Sequence, residues 1–238
     1  MTALTFTLKQ EPAQRVDLSL LVCQNLRGLS VEDIAGLELY RGKRKLRAEE
    51  LFDISGSDAQ NIVIKNSSAK LDYIGKELSD GTITVEGDAG AYLGLSMKSG
   101  TITVNGNAGI FAACEMKKGF VQINGNTGDF LGAALPGNKM GMKGGTVLVK
   151  GNAGERAGDH MRRGVILIEG DAGDYCGSRM TAGTIAVMGI TGRYTGYAMR
   201  RGTLLFWNQP GLPATFNDCG SHTLAFLPML FASFRQLD

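Results

Sequence analysis

Thr82-Ile-Thr-Val-Glu-Gly-Asp-Ala-Gly-Ala-Tyr-Leu-Gly-Leu-Ser-Met-Lys-Ser-Gly100 is followed at once by Thr101-Ile-Thr-Val-Asn-Gly-Asn-Ala-Gly-Ile-Phe-Ala-Ala-Cys-Glu-Met-Lys-Lys-Gly119. The same pattern returns from Phe120, Thr146, Val165 and Thr184. Five of the six units are 19 residues long; the unit from Phe120 to Gly145 is 26, because seven residues, Ala133–Lys139, are inserted between Gly132 and Met142. A fixed period of this size is the mark of a solenoid. Each unit opens on a short β-branched strand such as Ile83–Val85 or Ile166–Ile168, and none carries a helical period. Nineteen residues cannot hold a strand, a crossover helix and two connections, so one unit is one turn of a β-coil. The corner Gly-(Asp/Asn)-(Ala/Thr)-Gly recurs from Gly87–Gly90 to Gly170–Gly173, and Gly189-Ile-Thr-Gly192 has lost the Asx. Asn and Asp tolerate left-handed backbone and can bond a neighbouring backbone group, as a tight corner requires. The expected fold is therefore all-β: a single right-handed parallel β-helix of seven to eight coils. It carries a small N-terminal cap (residues 1–60), the coil (61–207) and a C-terminal capping or docking tail (208–238).

The recurring Gly-Asn-Ala-Gly-x-x-x-Gly-x-x-Met-x-x-Gly resembles the GXGXG β-helix shared by the last domain of glutamate synthase large chains and the C-type (gamma-type) subunit of formylmethanofuran dehydrogenase. A chain of 238 residues is closer to the second of these. The resemblance leans toward the bacterial branch, the formyltransferase/hydrolase complex of methylotrophs. It implies a non-catalytic, structural subunit of a cytoplasmic one-carbon enzyme complex, with partner subunits of types A, B and D. There a formyl group passes from formyl-tetrahydromethanopterin to a methanofuran-type carrier and leaves as formate. The resemblance further implies that the active sites and metals lie on partner subunits, and that the carrier has a chain rich in glutamate carboxylates. The methanogen-type dehydrogenase and a free-standing glutamate-synthase-like module of nitrogen assimilation are the alternatives.

The composition limits function in other ways. Thirty-four glycines are about twice the usual share of roughly 7%, and they sit in register, which excludes low complexity. A net charge of +2 argues against general nucleic-acid binding. No apolar run approaches the roughly 20 residues of a membrane span. Cys23, Cys114, Cys176 and Cys219 lack metal or disulfide spacing and read as free thiols of a reducing compartment. With only His160 and His222, and no nucleophile elbow, phosphate loop or metal-ligand spacing, no catalytic residue and no metal site is expected on this chain. No covalently bound cofactor is expected either. Asp88, Asn107, Asn126, Asn152 and Asp171 hold too few carboxylates for a calcium ladder.

In the flanks, Leu4–Leu8 alternates as a strand with Val16–Cys23 as its expected partner, Ser30 is an N-cap, and Arg41–Arg47 reads as a solvated basic loop. Pro228–Arg235 allows two helical turns that close the far end.

Within the register, the first and third residues of each strand triad face inward. Met97, Met116, Met142, Met161, Met180 and Met199 form a core column. The aromatic column Tyr92, Phe111, Phe130, Tyr175, Tyr194 is broken by Arg156. Three features point to recognition. The outward middle residues run Thr84, Thr103, Gln122 and then Leu148, Leu167, Ala186, Leu205, an apolar patch that the tail or a partner subunit must cover. The insertion, bent outward at Pro136-Gly137 beside Arg156, is placed to contact another subunit. A basic ridge of Lys98, Lys117, Lys118, Lys143, Arg162, Arg163, Arg200 and Arg201 suits either a solvated edge or an anionic partner, the carrier chain among them.

Overall fold

The structure is a computed structural model and describes residues 2–235. In chain order its elements begin with β1 (Ala3–Leu8), β2 (Val16–Asp17), α1 (Cys23–Leu26), α2 (Val31–Ala35), β3 (Glu38–Arg41), β4 (Arg44–Arg47), α3 (Ala48–Leu51), β5 (Phe52–Ser55), β6 (Asp58–Ser67) and β7 (Leu71–Asp72). The repeats then supply β8 (Thr82–Gly87), β9 (Thr101–Val104), β10 (Phe120–Ile123), β11 (Lys143–Val149), β12 (Arg163–Ile168), β13 (Thr184–Val187) and β14 (Thr203–Phe206), and the tail ends in α4 (Leu227–Phe234).

One ten-stranded sheet runs in the order β14-β13-β12-β11-β10-β9-β8-β6-β1-β5. Every pairing from β1 to β14 is parallel, and only β5 returns antiparallel, against β1. The pairing follows the 19-residue repeat: Ile83 faces Ile102 and Val85 faces Val104. Across the insertion the partners become Val121 and Val147, 26 residues apart, with no slip in the strand itself. This is a β-solenoid built as the period requires. Its core is the inward ladder from Ile62 and Ile64 to Ile185 and Val187, flanked by the methionine column from Met97 to Met180, all buried. At about 1.5–3 kcal/mol for each fully buried aliphatic side chain, this repeated ladder dominates the fold's stability.

The corners explain the recurring letter pattern of the repeat. The Oδ1 of each corner Asx accepts the backbone N–H of its counterpart one coil on: Asp88 from Asn107 at 2.7 Å, Asn107 from Asn126 at 2.9 Å, Asn152 from Asp171 at 2.8 Å. The neutral and charged members act alike, so the column is a backbone ladder. Gly106 must be glycine there, because a Cβ would lie 2.5 Å from Asp88 Oδ1. The ring column imposes a second constraint that the sequence did not announce. Tyr73, Tyr92, Phe111, Phe130, Arg156, Tyr175 and Tyr194 all have φ between 59° and 64°, a left-handed conformation bulky residues seldom adopt. From Tyr73 to Tyr175 each is held by an inter-coil hydrogen bond, such as Tyr92 N–H to Ile110 O at 2.9 Å.

Three expectations for the flanks are corrected. Leu4–Leu8 does not pair with 16–23. It joins the solenoid sheet, parallel to β6, because its alternating apolar residues continue the inward ladder. Val16–Asp17 instead joins β3 and β7 in a second sheet, and Cys23 begins a helical turn. The basic run Arg41–Arg47 is not a loop: it spans the tip and return strand of the β3–β4 hairpin, with Leu39 opposite Leu46 on its buried face. Ser30 does cap α2, accepting from Asp33 N–H while Asp33 reaches back to Ser30 N–H.

Candidate functional site

The ridge is a continuous column, each member carried by the coil before it. Lys117 N–H donates to Met97 O at 2.8 Å, Lys143 to Met116 O at 2.7 Å, Arg162 to Met142 O at 2.8 Å, Thr181 to Met161 O at 2.9 Å and Arg200 to Met180 O at 2.9 Å. The buried methionine before each position thus fixes the residue whose charge points out. The column does not behave uniformly along its length. Lys98 is paired with Glu77 at 2.7 Å, and that contact holds the Glu77 carboxyl below its usual range. Lys143 lies 3.9 Å from Glu115. Arg162, Arg163, Arg200 and Arg201 have no carboxylate partner among the described residues.

Those four arginines and Lys143 converge on one open trough of about 770 Å³, lined also by Met140, Thr181 and Ala182. Its cause is local. Where the neighbouring coils place Arg162-Arg163 and Arg200-Arg201, the coil between them places Thr181-Ala182. Two short side chains between two arginine rungs leave a gap of two coil spacings, about 9.6 Å. Guanidinium forks facing such a gap can engage carboxylates two hydrogen bonds at a time, which ammonium groups cannot do. Lys98, Lys117 and Lys118 belong to the same ridge outside the trough.

The insertion borders this trough. Its ends are closed by Met142 N–H donating to Gly132 O at 2.9 Å, the same bond that Met97 makes to Gly94 in an uninterrupted coil. Glu115 clamps it, accepting from Leu135 N–H at 3.3 Å and from Asn138 Nδ2 at 2.6 Å. Pro136 through Met140 are exposed, and Met140 Sδ lies 2.9 Å from Arg162 Nη1. Loop and ridge, separate features in the sequence, are thereby one surface.

Arg156 takes the ring position of its coil and packs on the ring of the next coil, Tyr175. Phe111 and Phe130 stack at 4.7 Å and Tyr175 and Tyr194 at 4.8 Å, and the Arg156 guanidinium sits 4.4 Å above the Tyr175 ring. In the same coil Asp159 stands where earlier coils have Leu95 and Cys114. It is only 4% exposed, accepts from Ser178 Oγ at 2.7 Å and is bridged by the Arg179 guanidinium. Sequence reasoning passed over Asp159 and Glu115. The signal for Asp159 was available, since its column changes from apolar to charged in the coil that also loses its ring.

On the outer face, Leu148, Leu167 and Ala186 are buried at 1%, 4% and 1% exposure beneath the tail, with Phe120, Leu205 and Phe234 packed against them. Trp207 meets Phe231 edge-on at 6.2 Å. The covering helix buries none of its own residues, and Met229 is 78% exposed. Among the described residues no group of three or more His, Cys, Asp or Glu is placed to hold a metal, and no helix is long and apolar enough to cross a membrane.

Residues 53–219 match the GXGXG motif family, the whole of the coil and part of each flank. The chain belongs to that family. Among its relatives, the C-type subunit of tungsten-containing formylmethanofuran dehydrogenase 2 from Methanococcus maripaludis is 34% identical over 92 residues, 38% of this chain and 34% of that protein. The C-type subunit of the formyltransferase/hydrolase complex Fhc from Methylorubrum extorquens is 41% identical over 86 residues, 36% of this chain and 32% of that protein. These aligned stretches span about a third of the curated relatives' length. A crystal structure of the formyltransferase/hydrolase complex from Methylorubrum extorquens, in complex with methylofuran, contains a similar chain. Its TM-score is 0.92 at 42% identity, covering 98% of this chain and 88% of that one. The family resemblance expected from the repeat is thus established.

Proposed function

We propose that this chain is the C-type, β-helical subunit of a formyltransferase/hydrolase complex, organising the partner subunits and holding an anionic carrier chain along its arginine trough. The observation that carries this reading is the near full-length likeness, at 42% identity, to a chain of such a complex solved with methylofuran. The trough supports it: four guanidiniums with no carboxylate partner among the described residues, beside an exposed loop, suit a flexible polycarboxylate that must be held without being frozen. Individually such exposed contacts are worth under about 1 kcal/mol; together they keep a tethered chain at high local concentration. Chemistry belongs to the partners in this reading. The insertion, clamped by Glu115 and bordered by Arg162, faces the subunit that receives the carrier, with Pro136 at the contact and Arg156 bracing the coil behind it.

The shorter matches to methanogen dehydrogenases favour a second reading, the C-type subunit of a tungsten-containing enzyme. Tagged full-length chain purified from its native cells distinguishes the two. Co-purifying partners without tungsten or iron–sulfur, active in formyl transfer, support the first. Tungsten and iron–sulfur in stoichiometric amounts support the second, and recovery of the chain without partners rejects both.

A further inference from the structure

A second cationic surface lies at the N-terminal end, on residues the carrier reading does not use. The β3–β4 hairpin turns at Gly42-Lys43, with Gly42 at φ +60°. Its last cross-strand pair is Arg41 opposite Arg44, like charges face to face, which weakens a hairpin. The rest of the hairpin shows the opposite practice. Lys45 pairs with Glu38 at 2.6 Å and Arg47 with Glu49 at 3.3 Å. Charge is balanced where the hairpin joins the body and left unbalanced at its tip.

The tip opens onto a trough of about 1040 Å³ lined by Arg15, Arg41, Lys43, Arg44 and Lys70, with Ala13 and Gln14. Asp72 holds Arg15 at 2.6 Å and Glu11 holds Lys70 at 3.3 Å. Arg41, Lys43 and Arg44 have no carboxylate partner among the described residues. We propose that this hairpin tip docks an acidic segment, a run of Asp and Glu side chains, of a protein partner. The breadth of the trough, and long exposed side chains on two strands and a turn, fit a polypeptide bearing several spaced carboxylates. A single small anion would instead call for buried, convergent donors. A single-stranded nucleic acid is held best where its bases stack on open rings, and the one exposed aromatic of the hairpin, Tyr40, already has Lys45 Nζ 5.5 Å above its ring.

The test uses the full chain and a fluorescein-labelled hexaglutamate peptide, read by anisotropy at low ionic strength. To keep it separate from the carrier reading, it is run with Arg162, Arg163, Arg200 and Arg201 all changed to Gln. That background should still bind the peptide. Adding Arg41→Gln, Lys43→Gln and Arg44→Gln should weaken binding about tenfold and flatten its salt dependence. Arg44→Glu, which turns the repelling pair into an attracting one, should lose binding while Tm stays the same or rises. The proposal is overturned if the ridge-neutral chain no longer binds, or if the hairpin changes leave affinity untouched. Preference for a single-stranded oligonucleotide, or equal competition by inorganic phosphate at matched ionic strength, overturns it as well.

Discussion

The first and second halves of the solenoid share one interior and differ outside. From β8 to β10 the outward strand residues are Thr84, Thr103 and Gln122, and the ridge is lysine, its first member paired with Glu77. From β11 to β14 the same positions carry Leu148, Leu167, Ala186 and Leu205, and beyond Lys143 the ridge's charges are the doublets Arg162-Arg163 and Arg200-Arg201, with no carboxylate partner among the described residues. The inward ladder is unaffected: Ile83 and Ile185 are equally buried. Inner residues set the register, since a one-residue slip would turn the whole ladder outward. The outer residues are free of that demand and therefore report what covers them. The second half is the one whose outer strand face is covered, here by the chain's own tail.

The largest effect that can break this comparison is a charge on the outer face. Leu167→Asp should lower stability by about 2–3 kcal/mol, whereas Thr103→Asp, on the solvated half, should stay within about 0.5 kcal/mol. Urea unfolding measures both. The cost at Leu167 should be limited by release of the tail, because α4 buries none of its own residues and can detach without disturbing the coil. Truncation before residue 208 should therefore erase most of the difference between the two substitutions. If Leu167→Asp costs as much in the truncated chain, the tail is not what covers the patch.

These contrasts also separate what the residues disclosed from what they hid. The coil was legible because one stretch repeats with identical spacing, so each strand, corner and inward position could be checked six times over. The flanks have no repeat. Leu4–Leu8 was readable as a strand, but its partner depended on a parallel pairing to Ile62–Lys65 far along the chain, which no local pattern encodes. The basic run 41–47 hid a hairpin because Arg, Lys and Gly there outweigh its one inward residue, Leu46, whose partner Leu39 lies outside the run. At the site, the ridge was visible as a column. Its trough was not, since the gap arises from two small residues, Thr181 and Ala182, whose meaning appears only between two arginine rungs. The joining of insertion and ridge through Met140 likewise needs three dimensions.

A smaller effect sharpens the comparison at the boundary between the halves. Arg156→Ala should cost about 1 kcal/mol, the loss of a guanidinium over Tyr175, while Arg156→Phe should recover most of it by completing the ring stack. Thermal unfolding of the two variants decides this; equal losses would mean that the column gains nothing from continuity at this coil.

The smallest effect compares coil with tail. Burial raises the thiol of Cys23 from 9.0 to about 11 and that of Cys176 from 9.0 to about 12, and pushes Cys114 up as well, whereas Cys219 is exposed. At pH 8 iodoacetamide should modify Cys219 alone in the folded chain and all four cysteines in urea, counted by mass. Because these folded-state values are raised, the thiols should leave stability constant below pH 9 and erode it as pH climbs toward 11–12. Modification of Cys114 or Cys176 at pH 8 would show that the coil opens.

The claim at the centre of the account is that the arginine rungs hold an anionic carrier chain. Changing Arg162, Arg163, Arg200 and Arg201 to Gln in the assembled complex, and measuring affinity for the methanofuran-type carrier against ionic strength, tests it most directly. The expected result is intact assembly, weaker carrier binding and a shallower salt dependence, because fewer screened charge contacts remain. Unchanged affinity and salt dependence in an intact complex would contradict it and leave the ridge a solvated edge.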